Sequence, residues 1–297
     1  MELRNQATEL LKPYENLGYI GDLQKAIALQ RKAIIFTPLK SADRPLMRSH
    51  LGNSYRFRYE RFGDVKDIDS AIRQQSKALA SLPRDSTHRP RILMNFGNAY
   101  LCRFERFAER KDFDFPIDLM LEAVSASTAS PLRSADRARL LLFIGDLYLN
   151  RYEWFKDIKD LDSAIKRQLE AASIPLNNPD PIVHTNLGKS YQIRFKQFGK
   201  IKDIDTSIEQ LLKAADSVTL NSILYPFIMT QLGISFGTRF EWFRNIRDLE
   251  SAIKHHLEAA ASIPLNNPDR PGILNNLALS YGIRFGRFGK KEDIDSI

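Results

Sequence analysis

The stretch LGNSYRFRYERFGDVKDIDSAI, residues 51–72, decides the fold because its pattern returns at residues 232–253 as LGISFGTRFEWFRNIRDLESAI. Six segments align without a gap over 22 positions, the last of them cut short by the chain end. They begin at Leu51, Phe96, Ile144, Leu187, Leu232 and Leu277, with spacings of 45, 48, 43, 45 and 45 residues. Such a period indicates stacked supersecondary units and not one globular core.

Each unit has the pattern of two helices. In the first full copy, Gly63 is expected to end helix A and Asp67 to cap the start of helix B. Pro83 follows the end of helix B. The apolar stripe of helix A consists of Met47, Leu51, Tyr55, Tyr59 and Phe62, at spacings of three and four residues. We therefore predict an all-α fold, a right-handed α-α superhelix (solenoid) of helix-turn-helix repeats of about 45 residues.

The repeats are predicted to form a single array over residues 1–297. A weaker N-terminal copy is indicated by Tyr14, Glu15, Asp22, Ala26 and Ile27, each 45 residues before its counterpart. The expected repeats cover residues 1–40, 41–86, 87–133, 134–178, 179–220, 221–267 and 268–297. The last one is incomplete, and Ile297 falls where a second helix would start. We therefore expect the chain to be a fragment or part of a longer array.

The repeat resembles the tetratricopeptide repeat (TPR). Leu51-Gly52 and Tyr55 match the helix A pattern of that family, and Ala71, Ala78 and Pro83 match its helix B pattern. The unit is longer than the family's 34 residues, mainly through the segment RFRYERFG. The signature is most similar to fungal TPR arrays associated with CHAT or NACHT-type signalling proteins. This resemblance implies a protein-binding scaffold, the sensor or docking arm of a larger intracellular protein.

Two charged positions recur in every copy, and we interpret both as structural because every unit must fold in the same way. The arginines are Arg58, Arg103, Arg151, Arg194, Arg239 and Arg284, and the aspartates are Asp67, Asp112, Asp160, Asp203, Asp248 and Asp293. A half-buried arginine needs a partner, so we expect these side chains to contact the aspartates or neighbouring acids. The recurring Phe62, Phe107, Phe155, Phe198, Phe243 and Phe288 are expected in the core, with Trp154 and Trp242 partly exposed.

Positions that differ between copies are the better candidates for a binding site. The TPR resemblance places the residues two before, one after and four after the Gly52-type position on the concave side. From these and the neighbouring Arg91 we select Asn53, Arg56, Arg91, Asn95, Asn98, Asn186, Lys189 and Gln192 as candidate peptide-binding residues. Asparagine side chains can both donate to and accept from an extended backbone. Arg91 and Asn95 resemble half of a family carboxylate clamp, but the next copies do not complete it.

The remaining composition favours a binding protein over an enzyme. The pairing of Cys102 with His50 lacks an orienting third group, and no phosphate-binding loop or metal motif is present in the sequence. We expect no catalytic residue, metal, cofactor or small-molecule substrate. The sole cysteine fits a reducing, cytoplasmic compartment, and no apolar run predicts a membrane span.

The expected partner is a protein or peptide, acidic segments included. Two alternatives remain. One is a regulatory fragment of a CHAT-domain cysteine-peptidase-like protein, and the other is a nucleic-acid-binding helical repeat. The net charge of +8 supports the second, but the concave positions carry few lysines or arginines. A basic stripe across successive repeats would favour it. A spacer or oligomerisation surface without a ligand is a further possibility.

Overall fold

The computed structural model describes residues 20–125, 134–175, 180–290 and 292. Within these residues the chain forms twelve α-helices, which confirms the all-α helix-turn-helix repeat fold. The helices are α1 (Ile20–Phe36), α2 (Arg44–Phe62), α3 (Val65–Ala80), α4 (Arg89–Phe107), α5 (Lys111–Ser125), α6 (Ser134–Phe155), α7 (Ile158–Ala172), α8 (Pro181–Phe198), α9 (Ile201–Asp216), α10 (Tyr225–Phe243), α11 (Ile246–Ser262) and α12 (Arg270–Phe288). Tyr14, Glu15, Asp293 and Ile297 lie outside the described residues.

The chain divides into two compact units, Met1–Lys156 and Asp157–Ile297. Even-numbered helices are helix A of a repeat and odd-numbered helices are helix B. In unit 1, α2 packs on α3 and α4 on α5, while the A helices α2, α4 and α6 contact one another in sequence. In unit 2, α8 packs on α9 and α10 on α11, and α8, α10 and α12 form the corresponding row. In the part of the chain that the structure describes, no helix has the length and apolarity needed to span a bilayer.

Helix A ends at a residue with left-handed backbone in each described repeat. Gly63, Gly199 and Gly289 have φ of 71°, 67° and 65°, and the amide of Gly63 donates to the Tyr59 carbonyl at 2.7 Å. The predicted end of helix A at Gly63 is therefore confirmed. Ala108, Lys156 and Arg244 adopt the same geometry with φ of 53°, 57° and 57°. A side chain in this region is strained, so these three caps store unfavourable energy.

Replacing Ala108 by glycine should stabilise the chain. The backbone already has the conformation that glycine adopts freely, so Ala108→Gly is expected to add about 1 kcal/mol to the free energy of unfolding. Urea denaturation followed by circular dichroism measures the change. Ala80→Gly, in the last turn of α3, is the control and should lower stability. A loss of stability in Ala108→Gly would contradict the cap assignment.

Helix B starts earlier than the sequence analysis predicted. Asp64, not Asp67, is the N-cap of α3, and its carboxylate accepts from the Lys66 amide at 3.0 Å. Asp67 is the third residue of the helix and is buried. Its carboxylate faces helix A because Arg58 holds it there, so it does not cap the backbone.

An arginine–aspartate fork joins the end of helix A to the start of helix B. Arg58 Nε donates to Asp67 Oδ2 at 2.7 Å, and its Nη2 donates to Oδ1 at 2.5 Å. The guanidinium also lies over the Tyr55 ring, 5.4 Å from its centroid. The same fork joins Arg194 to Asp203 and Arg239 to Asp248. Arg103 donates through Nε and Nη2 to a single oxygen of Asp112, Oδ1. The contact expected from the sequence is therefore present in four repeats.

The two remaining described arginines share part of this arrangement. Arg151 pairs with Asp114 on α5 and lies 5.1 Å from the Tyr148 ring centroid. Arg284 lies 5.4 Å from the ring centroid of Tyr281. The hydrogen bond to the aspartate raises the pKa of Arg58. A bidentate, charge-assisted pair of this kind fixes the angle between the helices as well as their separation.

Breaking one fork should destabilise unit 1. In Asp67→Asn the Arg58 guanidinium, about 29% exposed, keeps its position but loses its counter-charge. We expect a loss of about 2 kcal/mol, below the range for a fully buried pair because water reaches the arginine. Asp69→Asn, an exposed neighbour on the same helix, should change stability by less than about 0.5 kcal/mol. Equal losses in the two variants in urea denaturation would rule out a specific role for the fork.

The recurring phenylalanines are not the core aromatics, contrary to the sequence analysis. Phe62 is 52% exposed, and Phe107, Phe155, Phe198, Phe243 and Phe288 are exposed as well. The buried rings lie one turn earlier, at Tyr59, Phe104, Tyr152, Phe195 and Phe240. The Phe62-type residue is the last of helix A and lies next to the turn into helix B. Trp154 and Trp242 are exposed, as expected.

Helix A approaches helix B closely at its glycine. A Cβ on Gly233 would lie 2.3 Å from the ring of His256, a buried residue of α11. His256 Nδ1 is 3.0 Å from Ser280 Oγ on α12, so the imidazole links three helices. Burial, with the neighbouring His255, lowers the pKa of His256 to about 4. The ring is therefore neutral at physiological pH.

Unit 2 should lose stability as the pH falls from 6.5 towards 4. The unfolded chain protonates His256 near pH 6.5, whereas the folded chain does not until about pH 4. At pH 5 this costs about 2 kcal/mol relative to pH 7. His256→Gln should remove that dependence because glutamine does not titrate. The site should accept glutamine, since Gln75 and Gln168 occupy the same position in other repeats and are buried. Denaturation curves at pH 5 and 7 test this. Exposed His88→Gln is the control, and an unchanged pH dependence in His256→Gln would contradict the assignment.

Candidate functional site

A cleft in unit 2 lies between the N-terminal halves of α10 and α12. Its volume is about 730 Å³. Phe227 and Ile234 come from α10, Ile273 comes from α12, and Ile263 comes from the end of helix B. Amides surround these apolar side chains, namely Asn221, Gln231, Asn267, Asn275 and Asn276. Apolar walls with a few polar groups are typical of a ligand site.

The second cleft lies in unit 1 between the N-terminal halves of α4 and α6. It encloses about 400 Å³. Its walls carry Arg91, Asn95 and Asn98 from α4, with Asp136 and Arg139 from α6. This cleft is therefore more polar and more charged than the one in unit 2.

The two clefts occupy the same place in the repeat. When the helix A glycines Gly97 and Gly233 are superposed in sequence, Arg91, Asn95 and Asn98 correspond to Phe227, Gln231 and Ile234. The fold thus builds a cleft between the N-terminal halves of neighbouring A helices, and variable side chains set its chemistry. The unit 1 version can pair with carboxylates through Arg91 and Arg139, whereas the unit 2 version can bury an apolar side chain.

Three of the residues selected from the sequence converge on the unit 1 cleft, namely Arg91, Asn95 and Asn98. Asn95 Nδ2 also donates to Ser49 Oγ at 3.1 Å, which fixes the orientation of its amide. Arg91 is exposed, and its Nη2 lies 3.5 Å from His50 Nε2. This convergence fits the interpretation of these positions as concave.

The other selected residues lie away from both clefts. Asn53 accepts from Gln75 Nε2 at 3.0 Å, and Arg56 pairs with Glu60 on its own helix. Asn186 and Lys189 are half-buried on α8. Gln192 was a wrong selection for an open groove. It is only 5% exposed and donates to Thr238 Oγ1 at 3.3 Å, because neighbouring A helices touch there.

Most of the unit 2 cleft was missed by the sequence analysis. Of its lining, Gln231, Ile234 and Asn276 occupy positions that the resemblance places on the concave side, but Phe227 and Ile263 do not. The missed signal is Ile223, an isoleucine in a polar turn that is 87% exposed. An apolar side chain left in solvent at the cleft rim indicates a binding surface more than a folding requirement.

Cys102 is unsuited to catalysis. Burial and the adjacent Glu60 carboxylate raise the pKa of its thiol to about 12, and Sγ donates to Glu60 Oε1 at 3.3 Å. The reactive thiolate is therefore absent at neutral pH. Within the described parts of the chain, no group of three histidine, cysteine or acidic side chains is arranged to hold a metal ion.

Comparison with solved structures places this architecture among helical-repeat proteins. BtubC (BKLC) from P. vanneervenii matches with a TM-score of 0.56 and 17% identity over 77% of this chain and 88% of that chain. The assembly chaperone of RpL4, Acl4, matches with a TM-score of 0.56 and 14% identity over 98% and 99%. The chain shares the helical-repeat fold of these structures.

A TPR protein, YrrB, is also similar, with a TM-score of 0.44 and 13% identity over 78% of this chain and 96% of that chain. No family model and no curated protein matches the sequence. At these identities the likeness shows the fold alone, so function has to be argued from the surface of the chain.

Proposed function

We propose that the chain is a non-enzymatic scaffold that binds extended protein segments in the clefts between its A helices. The observation that carries the proposal is the unit 2 cleft, where open apolar walls are surrounded by amides. Amide side chains can pair with the backbone of a bound segment while the walls hold its side chains. Acl4, which has a similar fold, is an assembly chaperone of RpL4, and this fits a role in protein interaction.

The two clefts favour different side chains of a partner. The unit 2 cleft suits a segment with a large apolar residue, because Phe227, Ile234 and Ile273 line it. The unit 1 cleft suits an acidic residue placed between Arg91 and Arg139, although Asp136 lowers its positive charge. An acidic partner is therefore proposed for unit 1 only.

The wider role that we propose is the sensor or docking arm of a larger cytoplasmic protein, with all repeats forming one array. It rests on the RFxxF and Asp-Ile-Asp elements that resemble fungal CHAT- and NACHT-associated arrays.

Peptides selected by the chain should depend on the unit 2 cleft. A random peptide display library is panned against the whole chain, and selected peptides are synthesised for fluorescence anisotropy. Phe227→Ala with Ile234→Ala should weaken binding at least tenfold, since each buried apolar side chain contributes about 1.5–3 kcal/mol. Leu212→Ala removes an equally exposed leucine of α9 outside both clefts and should change affinity less than about twofold.

The unit 1 cleft has its own arm in the same experiment. Asn95→Ala with Asn98→Ala should weaken peptides that carry acidic residues and leave purely apolar ones unchanged. Peptides that bind all variants equally would show that neither cleft is the site.

A further inference from the structure

The turns between helix A and helix B of unit 2 carry a row of exposed cations and aromatic rings. We call residues 196–202, 241–247 and 286–290 the cationic edge. They lie at the ends of α8, α10 and α12, three A helices that contact one another in sequence. Their cations are Lys196, Lys200, Lys202, Arg244, Arg247, Arg287 and Lys290, all exposed, and their one carboxylate is Glu241.

The fold does not need this excess of positive charge. Among the residues that the structure describes, none of the seven cations forms an ion pair, although exposed acids elsewhere on the chain do. Lys200 Nζ instead lies over its own Phe198 ring, 5.8 Å from the centroid. Seven unpaired cations in one unit repel one another, so they are retained at a cost to folding.

The corresponding turns of unit 1 carry a smaller excess of positive charge. Residues 60–66 hold Glu60 and Asp64 against two cations, and residues 105–111 hold two glutamates against three. Glu60 pairs with Arg56, and Glu109 pairs with Lys111 at 2.5 Å. The exposed aromatic rings are common to both units, but the larger excess of positive charge lies in unit 2.

At Lys200 the exchange of acid for base goes against local helix stability. The residue after the left-handed cap is an acid at Asp64, Glu109 and Asp157, but it is Lys200, Asn245 or Lys290 on the cationic edge. Asp64 caps α3 and Asn245 caps α11 through their side chains, whereas Lys200 at the same place in α9 makes no side-chain cap. Aspartate is a strong N-cap residue and lysine is not. A substitution that weakens the fold points to selection for another property.

The aromatic rings on the edge are anchored on one side and open on the other. The six-membered ring of Trp242 packs on Gly199, where a Cβ would lie 2.8 Å from Cζ3. Its centroid is 5.0 Å from that of buried Phe195, yet Trp242 is 52% exposed. Phe198 and Phe288 occupy equivalent turns on α8 and α12 and are also half-exposed. Rings of this kind do not project into solvent but present one flat face to it.

We propose that the cationic edge binds single-stranded nucleic acid. Phosphates would lie against Lys200, Arg244 and Lys290, and bases would stack on the open side of Trp242 and neighbouring phenylalanines. Cations that follow a backbone, together with rings on which bases stack, are the features of sequence-tolerant single-strand binding. Binding to a bilayer would favour apolar side chains that project from the surface. Binding of an acidic peptide would not require an exposed aromatic ring in each repeat. The edge lines neither cleft, so it is independent of the peptide site.

The test is anisotropy of a fluorescein-labelled oligo(U) RNA of about 20 nucleotides, titrated with the whole chain at about 50 and 200 mM salt. Lys200→Asp with Lys290→Asp restores the acids that unit 1 carries, and Asp at residue 200 should cap α9, so folding is preserved. We expect at least tenfold weaker binding, and a salt slope lower by about 1.4 for two lost phosphate contacts. Lys32→Glu with Lys77→Glu, exposed lysines of unit 1, changes the net charge equally and should retain most of the affinity.

Stacking has a separate readout because the chain has only two tryptophans. In Trp154→Phe the remaining fluorescence comes from Trp242 and should be quenched by the RNA, whereas in Trp242→Phe the signal from Trp154 should be unchanged. Absence of RNA binding at the lower salt, or equal loss in the edge and control variants, would overturn the proposal. Edge-dependent binding of poly-glutamate or of vesicles containing phosphatidylserine, with RNA left unbound, would also overturn it, in favour of those partners.

Discussion

The contact between the helix A arginine and the helix B aspartate is the constraint on which four of the described repeats depend. It joins two helices at the turn between them, where Arg58 is held by the Asp67 carboxylate on one side and the Tyr55 ring on the other. A rigid, bidentate pair sets the angle at which helix B leaves helix A. With that angle fixed at one end, the opposite, N-terminal ends of neighbouring A helices can diverge. The two clefts lie there, far from the fork in every repeat that has one.

Much of this fold follows from periodicity, because a repeat of 45 residues shows its helices several times over. The predictions of the core aromatic and of the helix B cap were wrong because, in each case, two nearby residues could fill the same structural role. Phe62 and Tyr59 are both aromatic, and only the packing of α2 on α3 shows that the core closes at Tyr59. Asp64 and Asp67 are both plausible caps, and the choice depends on whether Arg58 reaches across the turn. Neither distinction is visible in a one-dimensional pattern, since each is decided by a side chain on the other helix.

The site was predictable only in part for a related reason. Arg91, Asn95 and Asn98 could be selected because they lie on one helix face at fixed distances from a glycine. A cleft, however, is defined by the space between two repeats, and turn residues such as Ile223 and Ile263 close it. Gln192 shows the opposite case, because the neighbouring helix lies too close to its side chain for a ligand. Sequence repeats locate the walls of a solenoid, and the separation of neighbouring units decides which walls are accessible.

A repeat protein carries its own internal controls, which allows a functional surface to be separated from a folding requirement. Residues that recur in all copies, such as Arg58 and Asp67, are required by the fold. A change in one repeat that weakens the local helix indicates a role other than folding. The change from Asp64, which caps α3, to Lys200, which makes no side-chain cap on α9, is of this kind. A search of the concave face alone overlooks this surface, because the turns lie at the ends of the helices. A repeat that binds peptides between its helices leaves these turns free to form a second binding surface.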